Sequence, residues 1–586
     1  MSNSAKSALT HKSALTHKSA LTQTRRVLKT ALVAVAGFSI IVNLLVLALP
    51  LYSLQIFDRV LSSRSIETLL ALTVVTIGLL ALQAALDHVR GSVLRRVALR
   101  VETSLTGPVL RASLDDGSRG NPHADSGLRD LREVRTAIAS PSLSALFDLP
   151  MTPFFVLVVF LIHPILGVFV IAAIALLAVL TGTHVLAARR PQDDDARAAL
   201  KAGEAVQDYV RHAEAIQALG MGDAVERRWR GQNTRLLALD AILAGRVGAV
   251  LSLTKFVRMA VQVGITGLGA SLALDGAITP GAMIASSLLM SRALAPVEQA
   301  VGGWKSWTSA AAAARRLIAG LRGVEEPANV VTLPAPKGNV EVTDLVYRPP
   351  GAEDAVLRGV SLRLAAGHSL AIVGPSGSGK STLMRLIAGV WSASSGEIRI
   401  DGAELGQWKR GSLGRHVGYL PQSVQLLSGT IAENISRLEE NPDSADIIAA
   451  ARAAGVHELI LRLPQGYGTV IGEGGYQLSG GQKQRIGLAR ALYGDPRLVI
   501  LDEPNSNLDP EGEAALIDAL QTCREAGRTI ILVSHRPALL RSVDWIVVLR
   551  DGLIERAGAR NELMRSFATP EDVSQQGSAP AARAAG

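Results

Sequence analysis

The chain has 586 residues, 48% of them hydrophobic, and a mean hydropathy of +0.27, which excludes an ordinary soluble domain and leaves room for several domains. The formal charge is +9 and the pI is near 9.8, but the cations flank apolar runs, which argues for the cytoplasmic margin of a membrane protein and against a nucleic-acid surface. The single cysteine, Cys523, can form no internal disulfide and suits a reducing compartment for its half of the chain.

From the N-terminus, Ser7 to Thr22 repeat the word SALTHK. Its period fits neither a helix nor a strand face, so residues 1–30 are expected to be a disordered basic tail without a cleavable signal. Six membrane spans are then expected: Ala31 to Leu49, Ile66 to Leu86, Ala145 to Ile162, Ile165 to Leu186, Phe256 to Leu274 and Ala282 to Val301. The first is long enough for a hydrocarbon core of about 30 Å, and the third and fourth are joined at His163-Pro164, a loop too tight to hold a domain. Arg25, Arg26 and Lys29 before the first span, Arg90 to Arg100 after the second, and Arg189–Arg190 after the fourth put those ends on the cytoplasmic side. His88 to Ser144 and Pro191 to Gly248 are too polar for lipid yet keep helical apolar spacing, so they are expected as helices extending into the cytoplasm, with breaks near Gly117–Pro122 and Gly220–Gly222. Lys255 and Arg258 at the edge of the fifth span are read as snorkelling cations, with a functional intramembrane charge as the alternative.

A Pro-bearing linker is expected over residues 322–337. After it come alternating strands, Val340 to Tyr347 and Val356 to Leu364, and then the apolar run Leu370 to Val373. That run opens into Gly374-Pro-Ser376-Gly377-Ser378-Gly379-Lys380-Ser381-Thr382, which fits G-x-x-x-x-G-K-[ST] between a strand and a helix. In such a loop the glycines let the backbone wrap phosphates, Lys380 reaches the β/γ oxygens, and the Ser381 hydroxyl ligates Mg²⁺. Downstream, Leu478-Ser479-Gly480-Gly481-Gln482 opens a helix whose free N–H groups suit an anion, and the apolar strand Leu498 to Leu501 delivers Asp502 and Glu503 to its end. One carboxylate suits Mg²⁺ and the other a water.

A phosphate loop followed by LSGGQ and a strand ending in Asp-Glu resembles the ATP-binding cassette (ABC) ATPases. Six spans with cytoplasmic helical excursions resemble the membrane half of ABC exporters, and the segments Leu49 to Leu61 and Phe147 to Phe155 resemble type I secretion ATPase/permeases, especially those that export proteases. The resemblance implies an α-helical six-span transmembrane exporter domain (residues 31–321) fused to an α/β P-loop ABC ATPase domain (338–567), with a disordered tail at 568–586. It implies ATP and Mg²⁺ as cofactors, Tyr347 stacked on adenine, Gln422 as the Q-loop ligand to Mg²⁺, Asp502 on Mg²⁺ through water, Glu503 polarising the attacking water, and His535 on the γ-phosphate. Ser479, Gly480, Gly481 and Gln482 would complete the opposite subunit's site with Asp509 supporting that interface, so a homodimer with two equivalent sites is expected. Gly472 to Gly475 matches the X-loop of exporters. No nucleophilic cysteine domain precedes the first span, so a peptidase activity is not expected. The implied partners are a periplasmic adaptor (membrane fusion) protein, an outer-membrane channel and a secreted protein substrate, with the chain in the bacterial inner membrane. An exporter of lipids or small hydrophobic molecules is the alternative, while a soluble nucleic-acid-binding ABC protein is excluded by the six apolar runs.

The cation pattern predicts that reporters fused after residues 60, 120, 164, 220 and 278 read outside, inside, outside, inside and outside. Any inversion in that series contradicts the span assignment.

Overall fold

The computed structural model describes residues 17–119, 121, 124, 126–323, 333–349, 351–472 and 474–568. It divides near residue 324 into a helical unit and an α/β unit.

The helical unit is built on α1 (His17–Leu45), α2 (Ile66–Ser118), α3 (Thr152–Ile162), α4 (Pro164–Arg211), α5 (Gly222–Leu274) and α6 (Pro280–Gly302), one for each expected span. Among the described residues, four stretches are long and apolar enough to cross a membrane, 26–63, 66–118, 141–162 and 252–274, while Pro164–Leu180 is a shorter apolar stretch. The breaks fall where the sequence places them: α2 ends at Ser118, only His163 separates α3 from α4, and α5 begins at Gly222. One expectation fails. Helix α1 starts at His17, inside the stretch expected to be disordered, because residues 17–36 contain neither Gly nor Pro and simply extend the span's helix. The first sixteen residues and residues 569–586, which hold the rest of the two expected tails, lie outside the described residues, as do linker residues 324–332.

Apolar contact joins the spans through Phe155, Val159, Leu166, Val170, Ile265, Leu289 and Leu294. Polar groups fix how they meet. Buried Arg90 of α2 donates through Nη1 to Asp148 Oδ1 (2.7 Å) and to Ser39 of α1 (2.9 Å), and Asn43 Nδ2 donates to the same Asp148 oxygen at 2.7 Å. Outside this cluster, Asp58 lies in a π-helical turn, Ile56–Val60, and caps the start of α6: it accepts from Thr279 Oγ1 at 2.6 Å and Gly281 N at 2.9 Å. A side chain at Gly281 would sit 2.5 Å from Asp58 Oδ1, so glycine is required there. The two segments that resemble secretion permeases therefore carry the carboxylates that staple the bundle.

In the α/β unit, β1 (Val340–Tyr347), β2 (Leu357–Leu364), β4 (Ser395–Ile400) and β5 (Ala403–Glu404) form an antiparallel sheet ordered β2-β1-β4-β5. A second sheet contains β3 (Ser369–Val373), β6 (Val417–Leu420), β9 (Leu498–Asp502), β10 (Thr529–Val533), β11 (Trp545–Arg550) and β12 (Leu553–Ala559), ordered β12-β11-β3-β10-β9-β6. All but β12 run parallel. Strands β3, β9 and β10 are buried along their whole length, which is why their sequences read as unbroken apolar runs. The short strands β7 (Gly429–Thr430) and β8 (Val470–Ile471) pair separately. The helices used below are α7 (Lys380–Ile387), α8 (Gly480–Leu492) and α9 (Pro510–Glu525).

Removing one partner of a buried ion pair and leaving the other uncompensated costs about 3–5 kcal/mol, a loss softened for Arg90 by its second pair with half-exposed Asp87 at 2.7 Å, whereas an apolar replacement of both is far milder. Asp148→Ala is accordingly expected to lower the thermal unfolding midpoint in detergent more than the double change Arg90→Met/Asp148→Leu; equal losses would show that the pair does not hold the bundle.

Candidate active site

Parallel pairing sets the site. Val533 lies opposite both Ile372 and Asp502, and Leu420 lies opposite Leu501, so β3, β10, β9 and β6 end together. The residues that follow them, Gly374, His535, Glu503 and Gln422, emerge on one carboxyl edge, where open parallel sheets bind ligands.

The loop from Gly374 to Gly379 turns β3 into α7. Its glycines are needed for different reasons: Gly374, Gly377 and Gly379 all have positive φ (154°, 81° and 98°), and a Cβ at Gly374 would lie 2.0 Å from the Leu549 carbonyl oxygen. Ser376 and Gly377 are exposed at the lip, while Ser378 and Lys380 are buried and Thr382 is half-buried. Lys380 Nζ donates to the carbonyls of Gly374 and Pro375, both at 2.8 Å. Burial lowers the Lys380 pKa, against the pull of Glu503 and Asp502.

Asp502 is 1% exposed, and its Oδ1 accepts from the Ser381 hydroxyl at 3.2 Å. Burial raises its pKa above the usual aspartate value, partly offset by that hydrogen bond. Its Oδ2 and the Ser378 hydroxyl oxygen are buried and have no hydrogen-bond partner. A buried, unpartnered carboxylate oxygen beside a serine hydroxyl is a hard-oxygen donor set that fits Mg²⁺. Glu503 follows in a left-handed conformation, φ 50°, held by its N–H donating to Val533 O at 3.1 Å. Gln422 Nε2 donates to Glu503 Oε2 at 3.1 Å. The sequence assigned Gln422 and Glu503 to one centre, and they touch. His535 is exposed at the end of β10.

The LSGGQ turn is organised differently from the phosphate loop. Ser479 Oγ accepts from Gln482 N at 3.3 Å while Gln482 Oε1 accepts from Ser479 N at 2.9 Å, a reciprocal cap at the start of α8. The Gln482 side chain, assigned to nucleotide from sequence, thus closes its own helix end. Gly480 and Gly481 pack on Asn507, where a Cβ at Gly481 would come within 2.8 Å of the Asn507 carbonyl. A cavity of about 340 Å³ opens beside them, lined by Gln422, Lys483, Gly480 and Asn507 among others. Asp509 caps α9, accepting from Gly512 N at 2.8 Å, and pairs with Arg485 at 2.6 Å. Those bonds, with the Gly512 N–H foremost, hold its carboxyl below the usual range. Through these bonds Asp509 fixes the turn from the 505–509 loop into α9. Glu473, in the expected X-loop, lies outside the described residues.

Tyr347 is the residue that the resemblance places on adenine. It is 8% exposed, packed in the core of the antiparallel sheet, and its ring stacks on Trp391 (5.2 Å, 11°). Residue 347 falls on the inward side of β1, which brings one face of its ring against Trp391. Two residues escaped the sequence reading. Arg385, one helical turn after Ser381, lies 4.6 Å from the Trp391 ring centre and helps lower the pKa of Asp502; the four-residue spacing from Ser381 was its available signal. Arg437 donates to the carbonyls of Arg490 (3.0 Å), Ala491 (3.0 Å), Gly414 (2.6 Å) and Val417 (3.3 Å), tying the end of α8 to the start of β6. Its φ of 57° had no sequence signal.

Separating cradle from water activation gives a test. Lys380→Ala is expected to weaken nucleoside triphosphate binding, whereas Glu503→Gln keeps binding and cuts turnover by about 10²- to 10⁴-fold, the usual share of a general base. Nucleotide affinity and phosphate release in detergent decide it; normal turnover in Glu503→Gln removes Glu503 from that role.

Comparison with known proteins agrees with this architecture. The family model for the ABC transporter transmembrane region matches residues 32–297, and the ABC transporter model matches residues 357–506. The chain is 40% identical over 550 residues to the type I secretion system ATP-binding protein PrsD of Rhizobium meliloti, covering 94% of each. It is 30% identical over 544 residues to the cyclolysin secretion/processing ATP-binding protein CyaB of Bordetella pertussis, covering 90% of this chain and 75% of that one. A solved bacterial Atm1-family ABC exporter with ATP bound has the same fold, with a TM-score of 0.78 at 22% identity over 92% of this chain and 96% of that one. With both family regions in order and a relative matched over nearly its whole length, the chain belongs to the ABC transporters, among the type I secretion system ATP-binding proteins.

Proposed function

We propose that the chain is the inner-membrane engine of a type I secretion system, which uses ATP to export a protein from the cytoplasm. The observation that carries the ATPase part is the convergence of Lys380, Asp502, Glu503 and Gln422 on one sheet edge. Full-length similarity to PrsD, a type I secretion protein by name, supports the cargo.

In this reading the backbone from Gly374 to Gly379 cradles the phosphates and Lys380 neutralises the β/γ oxygens. Ser381, Asp502 and Gln422 would hold Mg²⁺, which supplies charge neutralisation between the phosphates. Glu503 orients the attacking water and accepts its proton, while His535 donates to the γ-phosphate. One chain carries one phosphate loop and one LSGGQ. Two chains therefore form two equivalent sites, each completed by the partner's LSGGQ turn. The ATPase unit and the N-terminus face the cytoplasm, as the flanking cations indicate. Because the spans cross one bilayer, release to the medium requires an adaptor and an outer-membrane channel.

The test compares proteins in the medium of wild-type cells with those of cells carrying Lys380→Ala, a deletion of this chain, or a deletion of the neighbouring adaptor gene. A defined protein should disappear from the medium in all three, and removing its C-terminal tail should retain it in the cell. An unchanged medium, together with lipid transport by the purified chain, would make a lipid exporter the better reading.

A further inference from the structure

The fifth span contains two cations that the sequence reading treats as snorkelling. The structure gives one of them, the exposed Arg258, a partner on the neighbouring helix: its Nη1 lies 3.0 Å from Glu298 Oε2 of α6. The other Glu298 oxygen is buried without a hydrogen-bond partner. One turn further along α5, near the middle of the span 252–274, Gln262 accepts from Ser291 Oγ at 2.8 Å and donates to Ser287 Oγ. Another turn on, Thr266 lies 3.5 Å from the same Ser287 hydroxyl. Positions 258, 262 and 266 recur every four residues, as do 287 and 291, with 298 on the same side of α6, so each set forms one face of its helix.

This face depresses the hydropathy of the region. The 252–274 span has a mean hydropathy of 1.4 against 2.2 to 2.7 for the other three, and α6 does not reach the level of a candidate span. Exposed Phe256, Met259 and Val263 supply α5 with a separate, adjoining apolar face suited to lipid. The polar face is open as well: Arg258 is 49% exposed and Thr266 is exposed. An ion pair, a primary amide and three hydroxyls at this depth are too costly to set against hydrocarbon, so they front water or polar matter inside the membrane domain.

We propose that this face of α5 and α6 is a polar track that binds the main chain of an extended polypeptide during export, an inference that rests on the protein-export reading. The chemistry selects that ligand. A peptide main chain presents an N–H and a C=O at each residue other than proline, whatever its side chains. The Gln262 amide both donates and accepts, and the hydroxyls of Thr266, Ser287 and Ser291 rotate to do either. Such a lining exchanges hydrogen bonds with each passing residue and is indifferent to sequence. A lipid tail or an apolar drug-like molecule calls for a predominantly apolar lining with few polar groups.

The test uses the full chain with its adaptor and channel, in a Cys523→Ser background that removes the single native thiol. Its probe is the protein that disappears from the medium when this chain is deleted, fused to a tightly folded domain so that it stalls in transit. The thiol introduced by Gln262→Cys should react with a small charged thiol reagent, become protected while the cargo is stalled, and cross-link to the cargo. The lipid-side thiol introduced by Val263→Cys should not react. Gln262→Leu should lower the secretion rate about tenfold, as expected for the loss of one productive hydrogen bond, with nucleotide affinity and basal ATPase unchanged; Ser291→Ala and Thr266→Val serve if that variant does not reach the membrane. An unreactive thiol in the Gln262→Cys variant beside normal secretion overturns the proposal, as does a thiol there that cross-links only to a second copy of the chain. Failure of the export reading looks different: deleting this chain then removes no protein from the medium at all.

Discussion

Parallel pairing of β3, β10, β9 and β6 is the constraint on which the chemistry depends. The site residues come from positions as far apart as Gly374 and His535, and no side-chain interaction alone would hold them together. The backbone ladder does so, because strands in fixed register end at the same level and deliver whatever follows them to the same edge. Complete burial of β3, β9 and β10 makes that register hard to shift, since their aliphatic side chains contribute about 1.5–3 kcal/mol each when removed from water. The left-handed Glu503 is tolerable only on such a rigid support.

The helical unit solves a different problem. Lipid is as apolar as leucine, so the clustering of Phe155, Leu166 and Leu289 cannot by itself decide which helix meets which. Charged and amide groups make that choice. Arg90, Asp148, Asn43 and Ser39 join α1, α2 and the segment before α3, and Asp58 fixes the beginning of α6. The buried cluster around Arg90 is specific because leaving one of its buried polar groups unpaired is costly.

The phosphate loop, the LSGGQ turn and the Asp-Glu strand were legible because backbone geometry dictates both their residues and their spacing. Four of the expected spans were legible for a similar reason, since the length of an apolar run that crosses a membrane follows from bilayer thickness. What escaped the sequence depended on which way a side chain turned. The stack of Tyr347 on Trp391 follows from the pleat of β1, which directs residue 347 inward. Gln482 belongs to a phosphate-binding word that is also a helix-capping word, S-x-x-Q, and the local use wins for its side chain. The helix from His17 shows that a repeat without a helical period can still be helical when nothing in it breaks the helix. Arg437 was beyond sequence reading, because its partners are carbonyls supplied by two distant segments.

The phosphate-binding groups are not idle when they face one another. Lys380 is bonded to the carbonyls of its own loop, Ser381 to Asp502, and Gln422 to Glu503. In the proposed cycle an arriving nucleotide would displace these bonds while Asp502 Oδ2 and the Ser378 hydroxyl, which have no partner, would gain one, so its affinity would be the difference between two arrangements. The same exchange runs backwards after hydrolysis. In that reading each displaced group would have a partner to return to, which would ease product departure.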